Sequence, residues 1–405
     1  MNARQTSQVL WTEGIVVQIG DLGLQLLPAQ RRLFTPRAAE SRTDSAVHGP
    51  HFFRCHLPIW VMLIFLLSSQ SATSAEDSCQ PGLDALRQKD QSRAEMLLKR
   101  CIEGKPPHVA PYLALCALYQ SQNRTKDLYA VALKGLERFP EEKRFYLTVG
   151  IQAGQEERYE RAIEVFSEGF RRWRDDLVLK KNLASAHLLL GMKRLDESKD
   201  QEAESHLRKA TELTEDDVEA HLNLGRALHN LSRSVEALSE FDRVLALNPQ
   251  TPLAHFHRGL VLYSLHENDT AISEFDQEIK TNPSYPPSFL FRAQVLMLKG
   301  QWSAALSDLD AAVAKMPDNP KAVVVRARCL NQLGRLKEAE GDFRKAVELE
   351  PGNPEALNGL ARLLSLMGRD QEAETLFVKA RELNRNIRTV HPGEIQFESA
   401  KAKKN

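Results

Sequence analysis

From Pro320 to Asn353 the apolar and polar positions follow a helical period. Val323, Arg326, Ala327 and Leu330 fall at i, i+3, i+4 and i+7, one face of a first helix. Ala339, Phe343 and Ala346 repeat that spacing on a second helix. Gly334 supplies the left-handed stop between them, and Pro351, lacking an N–H, ends the pair. Ala327 and Ala339 let the two axes approach, with Phe343 filling the space beside them. The same pattern returns 34 residues later from Pro354, and earlier from Pro286, Pro252 and Val218. A helix pair of this size cannot bury its apolar face alone, so it must stack on its neighbours.

Upstream the register weakens. Residues 109–142 carry a degenerate unit, through Tyr112, Leu115 and Tyr119, and residues 143–176 a closer one, through Tyr146, Gly150, Tyr159, Ala162 and Phe166. Residues 177–217 form a unit of 41 residues. Its surplus is about seven residues, close to two helical turns, and is assigned to Gly191–Asp200, which predicts two lengthened helices and a protruding hairpin near Leu195. Residues 76–108 (Gly82, Leu83, Ala85, Leu86, Ala94, Leu98) sketch a short capping unit with a truncated first helix.

These residues resemble the tetratricopeptide repeat. The unit from Pro354 matches it through Leu357, Leu360, Ala361, Leu364, Gly368, Ala373, Phe377 and Ala380. The unit from Pro286 matches through Phe289, Ala293, Leu296, Gly300, Ala305, Leu309, Ala312 and Pro317. From Pro252 the match runs through Gly259, Leu262, Ala271, Phe275 and Pro283, with Glu278 where alanine is usual; from Val218 it runs through Leu224, Gly225, Leu228, Ala237, Phe241 and Pro249. The resemblance implies an all-α, right-handed superhelical solenoid of antiparallel helix pairs over 109–387, with units near 109–142, 143–176, 177–217, 218–251, 252–285, 286–319, 320–353 and 354–387.

Charge adds little direction. Lys plus Arg equals Asp plus Glu, 54 each, so nothing favours nucleic acid. Residues 1–50 lack the repeat register and read as a disordered leader or as sequence ahead of the true start. Residues 51–75 read as a signal peptide: Arg54 precedes the apolar run Leu57–Leu67, and small residues Thr73 and Ala75 follow it. The alternative is a membrane anchor through 57–69. Both make the protein exported, periplasmic or secreted. Residues 388–405, ending in Lys401, Lys403 and Lys404, read as a disordered basic tail.

Export would place the cysteines in an oxidising compartment. A Cys79–Cys101 disulfide would clamp the short first unit; Cys101–Cys116 is its rival, both thiols free is the third option, and Cys329 reads as a core residue. His221 and His255 hold the same place in adjacent units, where they could stack; His255 and His257 point apart, and no metal site or cofactor is expected. Sequons at Asn123, Asn230 and Asn268 are about as many as chance provides. No phosphate loop, HExxH or nucleophile elbow is present, so the chain reads as no enzyme.

The resemblance also implies a site. In such arrays the first helices line the concave face, which points to Lys181, Asn182, Asn223, Arg226 and His229, then Phe256, His257 and Tyr263. Phe291, Gln294 and Met297 follow, then Arg328, Asn331, Asn358 and Arg362. Lys181, Asn182, Asn223 and Arg226 are similar to the family's carboxylate clamp, and Phe256, Tyr263, Phe291 and Met297 would form apolar subsites. Arg258, Arg292 and Arg326 recur at one position and read as packing residues that bridge helices. The expected function is a non-enzymatic scaffold gripping a protein or peptide segment, with a membrane-associated complex as a further partner class. Two other readings stand beside it: an envelope-complex assembly factor using convex faces and the hairpin, and a glycan- or peptidoglycan-associated binding protein.

Overall fold

The computed structural model describes residues 10–12, 15–19, 24–28, 79–106 and 108–390. The signal-peptide reading at 51–75 and the tail beyond 390 lie outside them. The chain divides into two units, 1–186 and 187–405.

The first unit opens with three strands, β1 (Leu10–Thr12), β2 (Ile15–Ile19) and β3 (Leu24–Pro28), paired antiparallel in that order. Leu10 faces Val17, and Val16 faces Leu27. The described residues of the leader, a segment read as disordered or as sequence ahead of the true start, therefore form a meander. Its alternating β-branched run Ile15, Val17, Ile19 is the signal that a search for helical period passes over.

Helices follow in antiparallel pairs: α1 (Gln80–Arg87) with α2 (Gln91–Glu103), α3 (Ala110–Ser121) with α4 (Thr125–Arg138), and α5 (Lys143–Gln155) with α6 (Tyr159–Arg172). Asp90 caps α2 by accepting from the Arg93 N–H at 3.1 Å. A disulfide joins Cys79, at the N-cap of α1, to Cys101 on α2, with Cα atoms 5.3 Å apart. Cys116 is a buried free thiol whose pKa burial pushes up to about 12.

The division of units falls within α7 (Leu177–Asp196), 20 residues long, which is followed by an ordinary 14-residue α8 (Asp200–Leu213). The surplus therefore lengthens the first helix alone, and no hairpin protrudes; Leu195 is 8 % exposed and packs in a core cluster. The packing explains why. Asp176 caps the start of α7, accepting from Val178 and Leu179 N–H groups, as Asp217 caps the next first helix. At the other end Gly191 lies against Leu207, sixteen positions on, as Gly225 lies against Phe241. Start and stop both keep the common register, so two extra turns must sit between them.

The second unit continues with α9 (Val218–Asn230), α10 (Ser234–Leu247), α11 (Ala254–Ser264), α12 (Asn268–Thr281), α13 (Pro286–Leu298) and α14 (Trp302–Lys315). It closes with α15 (Pro320–Gln332), α16 (Leu336–Leu349), α17 (Pro354–Leu366) and α18 (Asp370–Val390). α18 runs three residues past the expected end of the array at 387. Where a first helix passes closest to its partner the residue is glycine or alanine: a Cβ on Gly225 would come within 2.7 Å of the Phe241 ring. Gly334 takes φ +72°, the left-handed stop between α15 and α16.

Successive first helices α9, α11, α13, α15 and α17 touch one another, whereas successive second helices contact first helices instead. Within this unit the stack is therefore tighter on the first-helix side, which makes that side concave. Ion pairs tie the steps together. Arg258 bonds Glu274 of its own unit and Asp242 of the one before; Arg292 bonds Asp308 and Asp276 likewise; Arg326 bonds Asp342 and Asp310. Among the described residues no helix is long and apolar enough to cross a membrane.

Candidate peptide-binding groove

The concave face of the second unit holds most of the residues that the sequence singled out. It opens at α9. Asn223 is 3 % exposed, and its amide is used internally: Nδ2 donates to the Glu219 carbonyl at 2.9 Å, and Oδ1 accepts from Arg226 at 2.7 Å. Asn223 is thus no ligand donor, as the clamp reading had it, but the support that aims Arg226. Asn182, in the first unit, also donates back to its own helix, to the Val178 carbonyl at 2.8 Å, while Lys181 is exposed.

Around Arg226 stand two imidazoles whose pKa values are both lowered. His257 stacks on Phe241 with ring centres 6.0 Å apart and meets Phe256 edge-on. Burial first, then the charges of Arg226 and His229, hold its pKa down to about 3. Burial also lowers the pKa of His229, whose Nδ1 is buried and has no hydrogen-bond partner among the described residues. Tyr285 completes the group; it was missed in the sequence because it caps α13 from a turn.

The apolar subsites differ from the expectation. Phe256 is 4 % exposed and belongs to the core, edge-on to Tyr285 at 5.0 Å and to Phe291 at 5.6 Å. The cause lies one residue before α11, where Leu253 takes φ +67° and the helix starts late. Glu278, fully buried, accepts from the Leu253 N–H at 3.0 Å and the Phe256 N–H at 3.3 Å, and so pins Phe256 inward. Tyr263 and Phe291 are half-buried against this cluster, and Gln294 is half-buried on α13. Lys321 lies 5.8 Å over the Phe291 ring.

Farther along, the groove deepens. Met297, Arg328, Asn331, Asn358 and Arg362 come together around one hollow of about 490 Å³. Trp302 and Phe343 add apolar walls from second helices, and Gln332, Glu355 and Gly359 complete it. Sequence reasoning missed the two aromatics because only first helices were credited with reaching the groove. Gly359 held the clue: a Cβ there would fall 2.3 Å from the Phe343 ring. Arg328 is paired with Glu355 at 2.9 Å. Asn331 Oδ1 is buried with no partner among the described residues, and Arg362 is exposed with none.

The remaining candidates serve packing. His221 and His255 do not stack; each turns to a glutamate of its own second helix, Glu240 at 2.6 Å and Glu274 at 2.8 Å. His187 and His206 face each other through Nδ1 atoms 3.1 Å apart. Among the described residues no three metal-ligating side chains converge. Cys329 is a buried thiol donating to the Trp302 carbonyl.

Family models of the tetratricopeptide repeat match residues 188–252, 236–286, 292–354 and 338–390. No curated protein matches the chain. Similar solved structures include PilF of Pseudomonas aeruginosa, 17 % identical, covering 56 % of this chain and 99 % of its own with a TM-score of 0.46. The type IV pilus biogenesis factor PilW is 18 % identical, covering 54 % of this chain and 98 % of its own at 0.45. Yeast Tom70 is 17 % identical, covering 81 % of this chain and 96 % of its own at 0.36. With helix pairs stacked in a 34-residue register and matching family models across 188–390, the chain belongs to the tetratricopeptide repeat proteins.

Proposed function

We propose that the protein is a non-enzymatic scaffold that holds an extended segment of a protein partner along the first helices of its second unit. The hollow bounded by Met297, Arg328, Asn331, Asn358 and Arg362 carries this reading. It joins amide groups and cations to apolar walls, the mixture that fixes a peptide's direction while burying a side chain. A stack tied together by partly buried ion pairs presents these groups at fixed spacing, so the ordering cost falls on the ligand alone. The assembly reading loses its hairpin, and the stacking reading loses Phe256 to the core.

We propose further that the protein works outside the cytoplasm. The apolar run at 57–67 supports this, as does the Cys79–Cys101 disulfide.

Affinity capture from native extracts tests the scaffold reading. Wild-type protein is expected to retain a partner that an Asn358→Asp, Arg362→Glu variant of equal thermal stability loses. Equal retention by both would refute the groove.

A further inference from the structure

The second unit places seven arginines on its first helices, and five are spoken for. Arg194 bonds Glu197, Arg328 bonds Glu355, and Arg258, Arg292 and Arg326 form the ladder. Arg226 and Arg362 alone have no carboxylate partner among the described residues. They stand at the same position of their units, 136 residues apart, which is four repeats of 34. Both sit on the concave side. Arg226 is braced by the buried Asn223, and Arg362 lines the hollow beside Asn331, whose Oδ1 is buried and unpaired. Between them the groove offers half-buried Tyr263, Phe291 and Met297.

A guanidinium left unpaired where its five counterparts are all neutralised is a group reserved for an anion that comes from outside. Two at fixed separation ask for two. With the groove reading above as its basis, we infer that the partner is an extended segment carrying two acidic side chains, one for Arg226 and one for Arg362, with an apolar stretch between them. Packed helices lie roughly 8–10 Å apart, so four steps along the inner layer span about 36 Å. An extended chain rises about 3.3 Å per residue, which sets the two acids about ten or eleven residues apart. The anchors are internal side chains, so free chain ends are not needed. Because both are engaged by one ligand, losing either should cost more than a lone surface contact would.

Fluorescence anisotropy of the full chain with synthetic peptides of about sixteen residues tests this, the length following from the span above. All peptides are acetylated and amidated to remove terminal charge. One carries two glutamates about ten residues apart around Leu and Phe; a second has them adjacent; a third has both replaced by Gln. The first is expected to bind about tenfold more tightly than the others, the size of one charge-assisted contact. Arg226→Met and Arg362→Met should each erase that advantage of the spaced peptide over the adjacent and Gln peptides. Arg362 is exposed, so its variant reports even if the Arg226 variant is unstable. Equal binding of spaced, adjacent and Gln peptides, with the groove still occupied, overturns the two-anchor inference and leaves the scaffold standing. Should no peptide bind, and the captured partner be kept by both variants, the groove reading falls with it.

Discussion

Arg326 grips both carboxylate oxygens of Asp342, each at 2.7 Å, while its remaining nitrogen lies 3.1 Å from Asp310 of the preceding repeat. The same bond is made by Arg292 to Asp308, and a related one by Arg258 to Glu274. Each guanidinium therefore fastens its own helix pair and the neighbouring one together.

Breaking the tie to Asp342 leaves the partly buried Arg326 with only the more exposed Asp310 as a partner. Asp342→Asn should lower stability by about 2–3 kcal/mol, somewhat under the cost of a fully buried pair because Arg326 keeps contact with water. Replacing both partners, Arg326→Met with Asp342→Leu, should cost less than Asp342→Asn alone. Urea unfolding of the three variants decides it.

Glu278 stands where the repeat pattern has alanine, and a restoration to the consensus would ordinarily stabilise. Here Glu278→Ala should destabilise by about 1–2 kcal/mol, since two N–H groups at the start of α11 lose their acceptor. Amide exchange at Leu253 and Phe256 should quicken more than in α9.

Acid and base act oppositely on two histidines. Glu240 raises the pKa of His221, so that bond adds stability which is complete below the unfolded value of about 6.5 and fades as pH rises through the folded one. Burial lowers the pKa of His187 to about 4, so its contribution is complete above about 6.5 and fades as pH falls toward 4. Glu240→Gln should flatten the alkaline side of the stability curve, and His187→Phe the acid side. Unfolding midpoints across this range measure both.

Reduction should reach only the first helix pair. Opening a bridge across 22 residues removes about 3 kcal/mol in the loop-entropy picture, so α1 should lose exchange protection while α9–α18 keep theirs. Cys116 should stay unreactive toward thiol reagents until denaturant is added, because burial disfavours its thiolate.

Much of this was readable in the amino-acid order. Repetition at 34 residues multiplies each weak helical signal, so helix pairs and the recurring arginines follow from position, and five residues of the hollow follow once the family's concave positions are carried over to this chain. What escaped depends on contacts that one repeat cannot reveal. Whether Asn223 faces a ligand or its own helix turns on Arg226, three residues away. Phe256 is drawn inward by Glu278, twenty-two residues on, and the site of the two extra turns in α7 shows only once Gly191 is seen to meet Leu207. β1, β2 and β3 lie outside the 34-residue repeat, so the helical period carries no signal of them.

The most direct measurement places a photo-crosslinking residue at Met297, in the groove, or at Val235, 80 % exposed on the second helix α10. Irradiation in native extracts should join the partner at Met297, with loss of the product in Arg362→Glu, and give nothing at Val235. A crosslink at Val235 and none at Met297 would contradict the groove as the working surface.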